Sequence, residues 1–153
     1  EFLADASDDP RIPFIENLLR DVKDIGDILV YNKSFEIKRL NEIAEAFPQY
    51  KMKIDNLIYR IKDLIVPFQK KYYYTNDMKG SYSIKYVLPA IVPELNYQNL
   101  PINEGGLASL TFESLFDENN PEIINEKRKN LLEYCKLDTF AMVKILEKRE
   151  SIV

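Results

Sequence analysis

The chain has 153 residues, of which 46% are hydrophobic and 30% charged, and its net charge is −4. These values suit one globular domain and exclude a disordered chain. The sequence has no histidine and a single cysteine, Cys135, which excludes Ser-His-Asp and Cys-His catalysis, internal disulfides and zinc cages of histidine or thiolate. Chemistry would have to come from carboxylates, tyrosines and lysines, and carboxylates favour magnesium or manganese.

The same numbers bear on partners and location. Because the overall charge is negative, any nucleic-acid site must be a local patch. No apolar run approaches the roughly 20 residues that span a bilayer. The first ten residues, EFLADASDDP, lack the basic start of a signal peptide. Together with the lone cysteine, these features predict a soluble, cytoplasmic protein without a membrane partner.

Helical and strand patterns alternate in the first half of the chain. Asp9 and Pro10 open the first helix, which stops near Gly26, and Asn32 is the expected N-cap of the second helix. The first strand is apolar on both faces, which predicts a buried position in the interior of a sheet. The predicted elements are a helix at 11–24, a strand at 27–31, a helix at 32–47, a helix at 50–62 and a strand at 63–68.

The second half reads as mostly helical. It contains a turn at 76–80, a short helix at 82–91 halted by prolines, a helix at 104–116 and further helix from 120 to 146. This order predicts an α/β fold that is rich in helix, with a short and incomplete sheet, because two strands are too few for an independent sheet. We expect one domain over residues 1–153, truncated at its N-terminus, whose exposed sheet surface promotes self-association.

A carboxylate interrupts the apolar stripe of the last predicted helix. Asp138 shares its face with residues at three- and four-residue steps, where a hydrophobic residue is expected. The apolar members of this stripe are Leu131, Tyr134, Ala141, Met142 and Ile145.

A second acid, Glu36, extends the stripe of the helix after the first strand, which contains Leu40, Ile43, Ala44 and Phe47. An ionised carboxylate facing the core must be paired or bind a metal, so one divalent cation between Glu36 and Asp138 would account for both. Two simpler interpretations exist. Glu36 lies in a first helical turn, where an acid favours the helix dipole, and Asp138 would be an N-cap if the helix broke at Leu137.

The residues around these acids resemble known motifs. YNKSFEIKRL (31–40) resembles the second motif of the DEDD exonuclease superfamily, and YCKLDTFAMVKIL (134–146) resembles its third motif in the tyrosine form, Tyr-x-x-x-Asp. Four stretches, FLADASDDPR, LVYNKSFE, GSYSIKYVLP and YCKLDTFAMV, are together similar to the DUF2779 family. That family is regarded as DnaQ-like with an RNase H-like fold, so the resemblance implies a 3′–5′ exonuclease.

The resemblance also implies roles for single residues. Asp138 would bind the ion that activates water, Glu36 would bind or position a second ion, and Tyr134 would orient the attacking water in a two-metal reaction. Asn32 would either touch the substrate or only cap its helix. Two departures stand out: Glu36 replaces the usual aspartate, and the Asp-x-Glu of the first motif is absent and expected upstream of Glu1.

Residues 69–86 hold five tyrosines and four lysines against one acid, Asp77. Lysines on phosphates and tyrosines stacked on bases would suit a nucleic-acid single strand, with Tyr82 and Lys85 as the substrate-binding candidates. Alternatively, KYYYT (71–75) is an edge strand guarded by lysine.

The sequence thus predicts a metal-dependent 3′–5′ exonuclease-like domain, inactive as this fragment and dependent on Mg²⁺ or Mn²⁺. A non-catalytic RNase H-like module that binds nucleic acid or a protein is the alternative. A structural helical domain whose acids are only caps is a third interpretation.

Overall fold

Seven helices and two short strands make up the described part of the chain. The structure is a computed structural model that describes residues 1–150, with side chains as far as Lys148. The elements are α1 (Arg11–Asp21), β1 (Ile28–Val30), α2 (Lys33–Ala46), α3 (Lys51–Arg60), β2 (Ile61–Asp63), α4 (Val66–Gln69), α5 (Ile84–Ile91), α6 (Gly105–Glu113) and α7 (Pro121–Glu150). Short 3₁₀ turns occur at Pro48–Tyr50 and Asn76–Met78.

The two strands form a parallel sheet in which Ile28 pairs with Ile61 and Val30 pairs with Asp63. Helices α2 and α3 connect them, as the crossover between parallel strands requires. This arrangement confirms a helix-rich α/β structure with a short sheet. The finer assignment to an RNase H-like fold stays a prediction.

Two details of the predicted strands are wrong. β2 begins at Ile61, directly after α3, and the residues expected to continue the strand instead turn into α4. Pro67 lies in the first turn of α4, where its fixed φ angle suits a helix and no backbone donor is needed. β1 is half-buried rather than buried, because its only partner in the described sheet is β2.

Contacts divide the chain into two units. One unit comprises Ile15–Val87, and the other comprises Glu1–Phe14 with the chain from Leu88 onward. The first unit has a continuous apolar core to which α1, α2, α3 and β2 contribute. Its buried members are Ile15, Leu40, Ile43, Ala44, Ile54 and Ile61. The stripe predicted for α2 is therefore confirmed, and the prediction of a single domain stays a prediction.

In the other unit, α7 is one helix of 30 residues, so the proposed break at Leu137 is wrong and Asp138 is not an N-cap. Leu131, Tyr134, Ala141 and Ile145 are buried, which confirms the predicted face. The Arg128 guanidinium, also on α7, donates to the carbonyl oxygens of residues 3 and 4 at 3.1 and 2.9 Å.

Two smaller predictions concern residues 69–91. No strand forms in KYYYT, so the edge-strand interpretation is wrong, whereas the predicted turn at 76–80 is confirmed by a 3₁₀ turn and the positive φ of Gly80. α5 contains Pro89 and ends at Ile91, which confirms the predicted end of this helix, although it begins at Ile84 rather than Tyr82. Within the described residues, none of the helices combines the length and hydropathy needed to cross a membrane.

Candidate functional site

Asp138 lies half-buried on the inner face of α7, among the apolar side chains that the sequence predicted. The Tyr97 hydroxyl donates a hydrogen bond of 2.6 Å to Asp138 Oδ1. The Tyr134 hydroxyl, one turn earlier on α7, also interacts with this carboxylate. The two tyrosine rings lie 6.1 Å apart between centroids and are tilted by 56°. The carboxylate in the apolar stripe thus accepts a hydrogen bond from one tyrosine and interacts with a second.

The electrostatics of this cluster fix the protonation state of Tyr134. Burial raises the pKa of its hydroxyl well above the ordinary value, and the negative charge of Asp138 and the hydrogen bond to it add to the increase. Glu104, just before α6, contributes a further increase. A Cβ atom on Gly105 would lie 3.8 Å from the Tyr134 hydroxyl oxygen, so the start of α6 packs beside that hydroxyl. Tyr134 therefore serves as a neutral hydrogen-bond donor at physiological pH.

The carboxyl ends of β1 and β2 form a second polar cluster, in the unit Ile15–Val87. The Asp63 carboxylate accepts hydrogen bonds from the backbone N–H groups of Asn32 at 2.9 Å, Lys33 at 2.8 Å and Ile65 at 3.1 Å. This carboxylate, at the end of β2, thus satisfies donors at the start of α2. Parallel sheets commonly bind ligands at this edge.

Asn32 occupies the N-cap position of α2, as predicted, but its side chain makes no capping hydrogen bond. Its backbone is left-handed, with φ at 73°, and its Oδ1 accepts a hydrogen bond from the Ser34 hydroxyl at 2.7 Å. The capping interpretation of Asn32 is therefore wrong, because Asp63 supplies the acceptor. Glu36 is half-buried in the first turn of α2, where a carboxylate also complements the helix dipole.

Tyr31 holds the predicted substrate-binding stretch beside the end of β1. Its hydroxyl donates a 2.6 Å hydrogen bond to the backbone carbonyl of Tyr82. Burial raises the pKa of Tyr31, and the charge of Asp63 adds to the increase. The Tyr82 ring remains 48% exposed, whereas Lys85 is half-buried in the first turn of α5.

The structure therefore brings some of the predicted residues together. Tyr134 and Asp138 are in contact in one unit, and Asn32 and Tyr82 both lie beside Tyr31 in the other. Glu36 lies in the unit Ile15–Val87, so its pairing with Asp138 around a cation stays a prediction.

Sequence reasoning missed two functional candidates. The sequence pattern puts Asp63 at the start of the second strand, whereas it is the last residue of β2. A prediction that ended α3 at Arg60 would have placed Asp63 at the carboxyl end of the strand. Tyr97 lies in an irregular stretch, ELNYQNL, that carries no periodic signal.

Among residues 1–148, no group of three or more histidine, cysteine, aspartate or glutamate side chains is arranged to hold an ion. The Tyr97 and Tyr134 hydroxyls beside Asp138 are neutral, whereas magnesium prefers charged oxygens. The dependence on Mg²⁺ or Mn²⁺ therefore stays a prediction.

Comparison with known proteins places the chain in a family. The model of a domain of unknown function, DUF2779, matches residues 1–83, which include Asn32, Glu36 and Tyr82 but not Tyr134 or Asp138. An uncharacterized protein, UU173, of Ureaplasma parvum serovar 3 is 32% identical over an alignment that covers 76% of this chain and 19% of that protein. The chain thus spans about a fifth of the length of this curated relative. No solved structure matches the chain itself. The chain belongs to the DUF2779 family.

Proposed function

We propose that this chain is part of a 3′–5′ exonuclease-like domain, of RNase H-like type, that acts on nucleic-acid phosphodiester bonds. The observation that supports it best is the contact between Tyr134 and Asp138 on the inner face of α7. The Tyr-x-x-x-Asp spacing puts both side chains on one face because they are separated by about one helical turn. The tyrosine form of the third exonuclease motif has the same two residue types at this spacing.

Asp138 would be the carboxylate nearest the chemistry, and Tyr134 and Tyr97 would orient it. The hydrogen bond from Tyr97 and the interaction with Tyr134 would position the carboxylate, which is the kind of preorganisation that catalytic groups require. Because its pKa is raised, the Tyr134 hydroxyl keeps its proton, which is directed at Asp138, and its oxygen can accept a hydrogen bond from a water molecule. It does not act as a general base at neutral pH.

The test uses the natural protein that contains these residues, with manganese and a 5′-labelled single-stranded oligonucleotide. Wild type should shorten the strand from its 3′ end, and Asp138→Asn should abolish shortening. Tyr134→Phe should slow it, whereas Glu133→Gln, on the exposed face of the same helix, should not. Circular dichroism would verify that every variant is folded. The proposal fails if folded wild type leaves the strand intact, or if Asp138→Asn shortens it at the wild-type rate.

The second candidate is a non-catalytic module that binds nucleic acid. One observation favours it: residues 1–148 contain no group of three acid or cysteine side chains arranged to hold an ion. Strand binding by folded wild type, without any shortening in manganese or magnesium, would support this candidate over the enzyme.

A further inference from the structure

We propose that exposed tyrosines and lysines of residues 70–86 form a binding surface for single-stranded nucleic acid. This inference deepens the proposed function, on which it rests, because it names the surface that holds the substrate strand. The surface, called here the tyrosine–lysine surface, comprises Lys70, Tyr72, Tyr74, Lys79, Tyr82 and Tyr86.

An internal aromatic pair holds both halves of the surface in place. Tyr31 and Phe68 stack with their centroids 6.4 Å apart, and Phe68 is only 6% exposed. Tyr73 meets Phe68 edge-on at 6.0 Å, which anchors the half around residues 70–74. The hydrogen bond from Tyr31 to the carbonyl of Tyr82 anchors the other half. Both halves are therefore fixed next to the carboxyl end of β1.

The rings of this surface are exposed although the segment's backbone is anchored. Tyr72 is 76% exposed, and Tyr74, Tyr82 and Tyr86 are between 45% and 48% exposed. An exposed tyrosine ring with a fixed backbone offers a flat face on which a base can stack, and stacking accepts every base. Four such rings in 15 residues, from 72 to 86, suit successive bases of a flexible strand.

The charge of the segment complements a phosphate backbone. It has four lysines against Asp77, whereas the whole chain has a net charge of −4. The Lys70 ammonium lies over the Tyr72 ring, 5.9 Å from its centre, so the cation covers one face of this exposed ring and a base would stack on the other. A base on Tyr72 would place its phosphate within reach of Lys70.

Backbone strain concentrates at the same place. In residues 1–150, the non-glycine residues with positive φ are Asn32, Lys71 and Lys79, and all three lie in or beside this segment. A lysine in the left-handed region is unfavourable for stability, and such strain is often found at binding sites. Glycine would adopt the same backbone conformation with less strain, so stability does not account for lysine at these two positions.

A double-stranded partner suits the surface less well than a single strand. Stacking on several rings needs bases that are unpaired and splayed apart, which a duplex does not offer. DNA and RNA single strands share the required chemistry, and the binding experiment distinguishes them.

The test measures fluorescence anisotropy of labelled oligothymidylate and oligouridylate with the full chain in EDTA, so that binding is separated from hydrolysis. Loss of one stacked base should weaken binding roughly fivefold or more. The double substitution Tyr72→Ala with Tyr82→Ala should therefore weaken it at least about 25-fold. Tyr72→Phe with Tyr82→Phe should retain it. Lys70→Gln with Lys79→Gln should lower the slope of log affinity against log salt by about 1.4, since each phosphate contributes about 0.7.

Matched controls lie on α3. Tyr59 is 86% exposed and Lys53 is exposed, so Tyr59→Ala with Lys53→Gln should leave binding unchanged. The inference is overturned if wild type binds neither oligonucleotide, if the alanine pair binds like wild type, or if polyglutamate or duplex competes as well as the single strand. Binding without 3′ shortening would reject only the exonuclease, and shortening without dependence on this surface would reject only this inference.

Discussion

The Tyr97 hydroxyl lies 2.6 Å from Asp138 Oδ1 and so supplies a donor to a carboxylate that faces the apolar side of α7. A hydrogen bond to a charged group contributes about 1.5–3 kcal/mol to stability, more than one between neutral groups. This contact helps to explain how an acid is tolerated in a hydrophobic stripe.

Tyr97→Phe should lower the free energy of unfolding by about 1.5–3 kcal/mol, because the half-buried carboxylate loses a donor while the ring packing is kept. Urea unfolding followed by circular dichroism measures this change. Tyr59→Phe, at an exposed position on α3, is the control and should change stability by less than about 0.5 kcal/mol. Equal effects of the two substitutions would contradict a stabilising Tyr97–Asp138 contact.

Alkaline pH should destabilise the protein through Tyr134 and Tyr31. Burial, followed by the charges of Asp138 and Asp63 respectively, raises both pKa values in the folded state above the ordinary value of about 10. A raised pKa means that the stabilising contribution is complete below about pH 10 and is lost as the pH rises further, because the unfolded state releases its proton first. Urea unfolding at several pH values, with tyrosinate absorbance as a second readout, measures the decline.

Tyr134→Phe should reduce the steepness of this alkaline decline, since phenylalanine cannot titrate. Tyr72→Phe, at a residue that is 76% exposed, should leave the steepness unchanged. An alkaline decline that is identical in wild type and Tyr134→Phe would show that Tyr134 does not contribute to it.

Asp63→Ala should destabilise the protein by about 0.5–2 kcal/mol, the range measured for removing a helix cap. Its carboxylate is the acceptor for the backbone N–H groups of Asn32 and Lys33 at the start of α2. Amide hydrogen exchange at these two residues should accelerate. Asp55→Ala serves as the control, because Asp55 is exposed and its carboxylate pairs with Lys51 one helical turn away. A larger loss of stability in this control would contradict the capping role.

Lys79→Gly should stabilise the chain by up to about 1 kcal/mol, because glycine adopts a left-handed backbone without the steric cost that a side chain incurs. Lys79 has φ at 50°. Lys53→Gly, inside α3, should instead destabilise by about 1 kcal/mol, as glycine does within a helix. Thermal unfolding compares the two, and a destabilising Lys79→Gly would show that the lysine side chain itself makes a stabilising contact.

Much of the fold could be predicted from local patterns. The helices at 11–24 and 104–116 and the helical stretch from 120 to 146 follow from apolar periodicity, which depends only on neighbours along one helix. The second strand was misplaced because an apolar run such as LIVPF has no periodicity that separates strand from turn. Pro67 lies in the first turn of α4, a position that suits a helix start and not the middle of a strand.

The candidate site was predictable only in part, for a similar reason. Asp138 and Tyr134 belong to one helix, so their shared face follows from spacing. The contact of Tyr97 with Asp138 spans 41 positions, and that of Tyr31 with Tyr82 spans 51, so neither has a local signal. The sequence showed that Asp138 needed a partner, and the fold supplied a tyrosine from a loop.

The carboxylate that completes the start of α2 comes from a residue 30 positions further along the chain. Bringing these two points together costs loop entropy before any of the bonds can form. The first turn of α2 should therefore be completed only after β2 has docked against β1. That order couples helix and sheet into one cooperative step, so that heat or denaturant that separates the strands should also fray this helix from its amino end.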